Sequence, residues 1–151
     1  MSDGFLTNDI DQEGSNLKKK LILNFFLVIQ TLMNPLDLTI YYNRPDLIDE
    51  TAKQIIKDFN IVGIKISFSG NPTDAYYELF SQILPHISKL LHDKKLNVLL
   101  YRIDINESQL FKLMQDNANN LPEAITGLII KRELQKVVIR NYYKKSIYDK
   151  N

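Results

Sequence analysis

Residues 96–103, LNVLLYRI, decide between two folds for this chain of 151 residues. Read as a helix, the stretch places four apolar residues on one face, at the i, i+3, i+4 and i+7 positions that begin with Leu96. Read as a strand, it is a buried apolar run of suitable length. Leucine and asparagine are poor strand formers, and the only β-branched residues here are Val98 and Ile103, which favours the helix.

The segments around this stretch predict a mainly helical α+β domain with five or six helices. The spacing of apolar residues predicts helices most strongly over residues 72–91 and 121–145. Two short strands are predicted at residues 38–42 and 62–69, because the first is β-branched and aromatic and the second alternates apolar and polar residues. If residues 96–103 are a strand instead, the chain becomes a small three-stranded α/β fold.

Asparagine marks the predicted start of four helices. Each of these residues precedes an apolar-periodic run and is followed three positions later by an acid or an amide, the pattern of a capping box. The four residues are Asn43, Asn71, Asn106 and Asn120. At Asn43 and Asn71 the cap also follows a predicted strand. If residues 96–103 are a strand, Asn106 marks a third such turn, and the three turns line the edge at which an open α/β sheet binds ligands.

The length predicts a single globular domain over residues 17–147, with a frayed end at residues 148–151. Residues 1–16 are polar and lack periodicity, which predicts a disordered tail. This tail holds four acidic residues and no Lys or Arg, and thus carries a charge of −4. The acids are Asp3, Asp9, Asp11 and Glu13.

An apolar run at residues 21–33 follows three consecutive lysines. It is too short for a membrane span, so it predicts a buried core helix, or a surface that docks a partner or a second copy of the chain. Met33 is an alternative start, in which case residues 1–32 are an extension.

Several chemistries are excluded by composition. The chain has no Cys, which excludes disulfides, thiol nucleophiles and cysteine metal sites, and fits a reducing cytoplasm. The two histidines, His86 and His92, fall on different faces of a helix, and the glycines form no phosphate-binding loop. Calcium-like loops beginning at Asp9 and Asp104 both lack the closing acid. We therefore assign no cofactor, metal or catalytic residue, although an enzymatic site assembled from distant residues stays open.

The C-terminal segment is the best candidate for a binding site. Residues 131–151 carry a charge of +5, whereas the whole chain carries +1. Basic residues at helical spacing, interleaved with tyrosines, can track a phosphate backbone and stack on bases. Complementing the helix dipole, shielding apolar surface and pairing with the acidic tail are the simpler roles. The candidate polyanion-binding residues are Arg132, Lys136, Arg140, Lys144 and Lys145.

Arg102 and Asp104 lie two residues apart at the end of an apolar run. Opposite charges at such a position predict a partly buried, structural ion pair that fixes the turn into the helix after Asn106. A catalytic role is the alternative, but structural ion pairs are far more numerous than catalytic ones.

LLYRIDINE, residues 99–107, and LIIKRELQK, residues 128–136, together resemble a pattern in small bacterial proteins of unassigned role. The likeness extends over about residues 51–146. It implies a bacterial, cytoplasmic, mainly helical protein and transfers no functional residue. The sequence therefore favours a non-enzymatic interaction or adaptor domain that binds a protein partner or itself, with nucleic-acid binding as the alternative.

Overall fold

The computed structural model describes residues 13–24, 35–70 and 74–148, and the chain divides into two compact units, Met1–Asp37 and Leu38–Asn151. The first unit contains helix α1 at residues 13–24, and helix α2, Pro35–Tyr42, continues from the first unit into the second. The second unit then contains α3 (Pro45–Ile61), α4 (Ala75–Leu90), α5 (Lys94–Ile103), α6 (Glu107–Asp116) and α7 (Leu121–Tyr148). The division after Asp37 falls inside the single domain predicted over residues 17–147.

Helix α7 organises the second unit. Its 28 residues give it a length of about 42 Å, and α3 and α4 both pack extensively along it. Helix α5 closes the core against α3, α4 and α7, whereas α6 packs on α7. The core is formed by large aliphatic side chains and one phenylalanine that are fully buried, among them Ile55, Phe59, Leu79, Ile83, Ile87, Leu99, Ile103, Ile129 and Ile130.

Residues 96–103 are helical, as their spacing favoured. They form most of α5, and the four residues predicted on one face, Leu96, Leu99, Leu100 and Ile103, are all buried. The side chain of Asp93 caps this helix by accepting a hydrogen bond from the Lys95 N–H at 2.9 Å. The three-stranded α/β alternative is therefore wrong.

The strand predicted at residues 62–69 does not form, although its alternation is real. Helix α3 ends in a Schellman turn in which Gly63 has φ 79°, a conformation that favours glycine, and residues 64–70 then run without regular secondary structure. Ile64, Ile66 and Phe68 face the core while the residues between them are exposed. The period of two correctly indicated an extended backbone, but a strand also needs a partner, and no described segment pairs with it.

The strand predicted at residues 38–42 is also wrong, because these residues form the second half of α2. The helical backbone buries Leu38 and places the Tyr42 ring on that of Tyr76 in α4, with a centroid distance of 4.3 Å. Burial raises the pKa of the Tyr76 hydroxyl to about 12. The described residues therefore form a mainly helical structure without strands.

The predictions for the two ends of the chain concern residues of which the structure describes only some. Residues 13–16 are helical, whereas the sequence predicts a disordered tail there. Residues 1–12 and 149–151 lie outside the described part of the chain. Residues 21–24 of the predicted core helix are exposed, and its residues 25–33 lie outside the described part of the chain. Within the described ranges, no helix is both long and apolar enough to cross a membrane.

The asparagine caps differ in outcome. Asn106 forms a complete capping box with Gln109, and its side-chain oxygen accepts from the Gln109 N–H at 2.8 Å. Asn120 directly precedes α7, and Asn71 lies outside the described residues. At α3 the N-cap is Arg44 rather than Asn43, and it makes no side-chain cap bond.

Asn106→Ala is expected to lower the free energy of unfolding by about 1 kcal/mol, because the first turn of α6 loses its side-chain acceptor. Urea denaturation followed by circular dichroism measures the loss. Asn43→Ala is the matched control, since Asn43 precedes a helix without capping it. Equal losses in the two variants would contradict the assignment of the cap.

Candidate functional site

The structure gives Arg102 and Asp104 separate partners instead of the predicted mutual ion pair. Arg102 Nε donates to Asp58 Oδ1 at 3.3 Å, and Arg132 Nη2 donates to Asp104 Oδ2 at 2.5 Å. Asp104 ends α5 with φ 69°, in the left-handed region, so the chain turns there and the carboxylate reaches α7. Asp104 therefore does fix the turn into α6, but through Arg132.

Two carboxylates are buried where α3, α5 and α7 meet. The Asp58 side chain is 4% exposed and accepts from Gln54 Nε2 at 3.1 Å as well as from Arg102. The Glu133 side chain is fully buried, and its Oε1 accepts from Lys136 Nζ at 2.8 Å. The second oxygen of Glu133, Oε2, is buried without a hydrogen-bond partner. These residues form a buried polar cluster.

Two pairs of polar residues show the direction of α3 relative to α7. Glu50 on α3 accepts hydrogen bonds from Asn141 Nδ2 on α7 at 3.4 and 3.5 Å. Asp58 on α3 lies close enough to Glu133 on α7 for its charge to raise the pKa of the Glu133 carboxyl. On α3, Asp58 follows Glu50 by eight residues, about 12 Å along the helix axis. On α7, Glu133 precedes Asn141 by the same number of residues. The two helices therefore run antiparallel, with a hydrogen-bonded pair near one end of their contact and two buried carboxylates near the other.

Burial dominates the electrostatics of the polar cluster. Loss of solvation raises the pKa of the Glu133 carboxyl above its usual 4.5, and the nearby charge of Asp58 raises it further. Lys136 and Arg132 act in the opposite direction. Because a substrate cannot reach a fully buried carboxyl, this arrangement is suited to holding helices in place rather than to acid–base chemistry.

The predicted polyanion-binding segment is divided by the fold. Arg132 and Lys136 are largely occupied by Asp104 and Glu133, with side chains 30% and 26% exposed. Arg140, Lys144 and Lys145 are exposed and make no ion pair with another described residue. The five basic residues thus form an internal half, bound to carboxylates, and an accessible half near the end of α7.

A groove open to solvent lies between α5 and α6. Its floor is apolar and consists of the buried residues Leu100 and Ile105. Its cavity has a volume of about 530 Å³, and a second open cavity of about 580 Å³ adjoins it beside Arg102. The walls of the groove are formed by Asn97, Tyr101, Asn106, Glu107 and Leu110.

Large exposed side chains are found in the wall of this groove and on the adjoining helix α6. Tyr101 is 86% exposed. On α6, Phe111 and Met114 are 63% and 47% exposed, and both lie on the helix face that carries Glu107, at i+4 and i+7. None of the residues of α6 is buried. We call Tyr101, Leu110, Phe111 and Met114, together with the apolar floor, the α5–α6 surface.

Sequence reasoning missed Asp58, Glu133 and the α5–α6 surface. A signal existed for the acids, because Glu133 lies one helical turn from Ile129 and from Val137, both of which are buried. An acid inside an apolar stripe indicates a buried carboxylate. No comparable signal existed for Phe111, because an apolar residue on an amphipathic helix is normally assigned to the core.

Comparison with known proteins gives no match to any protein-family model, to any curated protein or to any solved structure. In the described ranges, no three His, Cys, Asp or Glu residues are grouped so that they could hold a metal ion. Functional inference therefore starts from the surfaces and the buried polar cluster.

Glu133→Gln is expected to make the free energy of unfolding less sensitive to pH. The folded-state pKa of Glu133 is raised, so the wild-type protein loses stability as the pH rises from 4.5 through that pKa, and the isosteric amide removes this loss. Each unit of difference between the folded and unfolded pKa is worth about 1.4 kcal/mol.

Urea denaturation at a series of pH values checks this expectation, with the exposed Asp116→Asn on α6 as the control. The stability of Glu133→Gln relative to wild type should increase with pH, while the control changes less. A relative stability that falls with pH would mean that the ion pair with Lys136 outweighs burial.

Proposed function

We propose that this chain is a cytoplasmic, non-enzymatic protein-interaction domain and that the α5–α6 surface binds an amphipathic helix of a protein partner. The observation that carries this proposal is the exposure of Tyr101 in the wall of an apolar groove and of Phe111 on the α6 face that carries Glu107. Aromatic residues and methionine are enriched in interfaces, where they supply large contact areas at a small cost in conformational entropy.

The shape and polarity of the groove support a helical ligand. The groove lies between two helices and has an apolar floor, which matches the mode in which residues at i, i+3, i+4 and i+7 of a partner helix fill a hydrophobic channel. Asn97, Asn106 and Glu107 add polar groups to the walls. A partner helix with leucine-like anchors and a Lys or Arg that reaches Glu107 satisfies both features.

The same residues give no support to catalysis. The carboxylates with a buried environment, Asp58 and Glu133, belong to the polar cluster, and the exposed Asp104 is held by Arg132. The groove itself presents amides, one carboxylate and one phenol, without a neighbouring base–nucleophile pair. Binding is thus the function that this surface supports best.

Phe111→Ser combined with Met114→Ser is expected to weaken partner binding by 10-fold or more, since loss of a central anchor costs about 2 kcal/mol. Affinity capture from cell lysate, quantified species by species, measures the effect. A photo-crosslinking residue at position 101 identifies the protein that contacts the groove. Light scattering tests whether that protein is a second copy of the chain.

Tyr77→Ser is the matched control for this experiment, because Tyr77 is 73% exposed but lies on α4. The species lost from the groove variant should be retained by the control and should crosslink at position 101 but not at position 77. Recovery of the same proteins by all three chains would contradict the proposal.

Nucleic-acid binding is the second candidate, and the accessible half of the basic segment favours it. Tyr142 is 44% exposed among Arg140, Lys144 and Lys145, and it packs edge-on against Tyr143 with a centroid distance of 6.2 Å. Such a cluster can contact phosphates and stack on an unpaired base. Arg132 and Lys136 contribute less, because they already bind carboxylates.

If this second candidate is correct, a mobility shift with single-stranded nucleic acid should be lost when Arg140, Lys144 and Lys145 are changed to Gln. The dependence of log affinity on log salt should lose a slope of about 2, since three phosphate contacts disappear. Lys57, Lys89 and Lys112 are exposed on other helices, and their change to Gln is the charge-matched control. If the control lowers the affinity equally, the binding is nonspecific charge attraction and not a site on α7.

A further inference from the structure

Every residue of α1 is exposed, including its four large apolar side chains. Leu17 is 57% exposed and Leu21 is 41% exposed, while Ile22 and Leu23 reach 58% and 63%. Helices in proteins gain most of their stability by burying an apolar face. The helical form of α1 therefore calls for a surface that covers these side chains.

The charged and apolar residues of α1 are adjacent in sequence. Lys18, Lys19 and Lys20 lie between Leu17 and the apolar residues Leu21, Ile22 and Leu23. At 100° per residue, the four apolar side chains spread over roughly 240° of the helix circumference. The four apolar side chains therefore do not form the single stripe that a protein groove contacts.

We propose that α1 binds the surface of a lipid bilayer that carries anionic headgroups. The three lysines supply charge complementarity, because they belong to none of the ion pairs found among the described residues, and phosphate headgroups are matching anions. Leu21, Ile22 and Leu23 enter the boundary between headgroups and acyl chains.

This site is separate from the α5–α6 surface, since it lies in the other unit of the chain. Lipid binding by α1 would determine where in the cell the proposed interaction domain acts. A lipid-bound α1 would hold the chain at a membrane surface without crossing the bilayer.

Cosedimentation of the full chain with vesicles tests this proposal. The chain should bind vesicles of phosphatidylcholine mixed with phosphatidylglycerol and bind pure phosphatidylcholine far more weakly. Changing Lys18, Lys19 and Lys20 to Gln should reduce the binding on the order of 100-fold, because each cation near an anionic surface contributes several-fold in affinity. The charge-matched control changes Arg140, Lys144 and Lys145 to Gln and should bind like wild type.

A fluorescent reporter distinguishes insertion from surface attraction. The chain contains no Trp, so Ile22→Trp introduces a single indole whose emission should shift to the blue on anionic vesicles. Val98→Trp on α5 is the matched reporter at a similarly exposed position and should not shift. Circular dichroism confirms that each variant remains folded.

Three outcomes would overturn the proposal. One is the absence of binding to anionic vesicles by a folded wild-type chain. Another is loss of binding in the α7 control but not in the α1 variant, which would move the lipid contact to α7. The third is a concentration-dependent oligomer that dissociates on Leu21→Ser without any vesicle binding, which would make α1 a contact between copies of the chain.

Discussion

The packing of α7 against α3 is the interaction on which the rest of the second unit depends. Helix α4 packs on both members of this pair, and α5 completes the core by packing against α3, α4 and α7. Helix α6 makes its contacts through α7 and has no buried residue of its own. The groove between α5 and α6 therefore has its position because α7 supports α6 while α3 and α4 support α5.

Buried charges at the α3–α7 contact have a stability cost that apolar residues would avoid. Removing a carboxylate from water is expensive, and Glu133 recovers only part of this cost through Lys136, since its Oε2 lacks a partner. A specific benefit compensates: an apolar face alone tolerates sliding of one helix along the other, whereas the Glu50–Asn141 hydrogen bond and the bonds of Asp58 to Gln54 and Arg102 favour one alignment. A slip by one helical turn would place Asp58 against apolar side chains, at a larger cost.

The sequence predicted the helices well, because apolar periodicity reports directly on which face is buried. The four-residue face of α5 and the capping box at Asn106 are examples. Prediction from the sequence failed where local residue preferences do not determine the structure. Residues 64–70 alternate as a strand does, yet pairing depends on a second segment elsewhere in the chain. The partner of Asp104 could not be predicted either, since Arg132 is 28 residues away and is reached only through a left-handed turn.

The late position of α7 has a consequence for biosynthesis. Glu50 and Asn141 are 91 residues apart, so the central helix pair closes only after nearly the whole described second unit has left the ribosome. Until then, the apolar faces of α3, α4 and α5 have no complete core to enter. The contacts of α7 with α3 and α4 are thus the last major part of this core to form during synthesis. Nascent chains of this protein are the form most exposed to aggregation and to capture by chaperones.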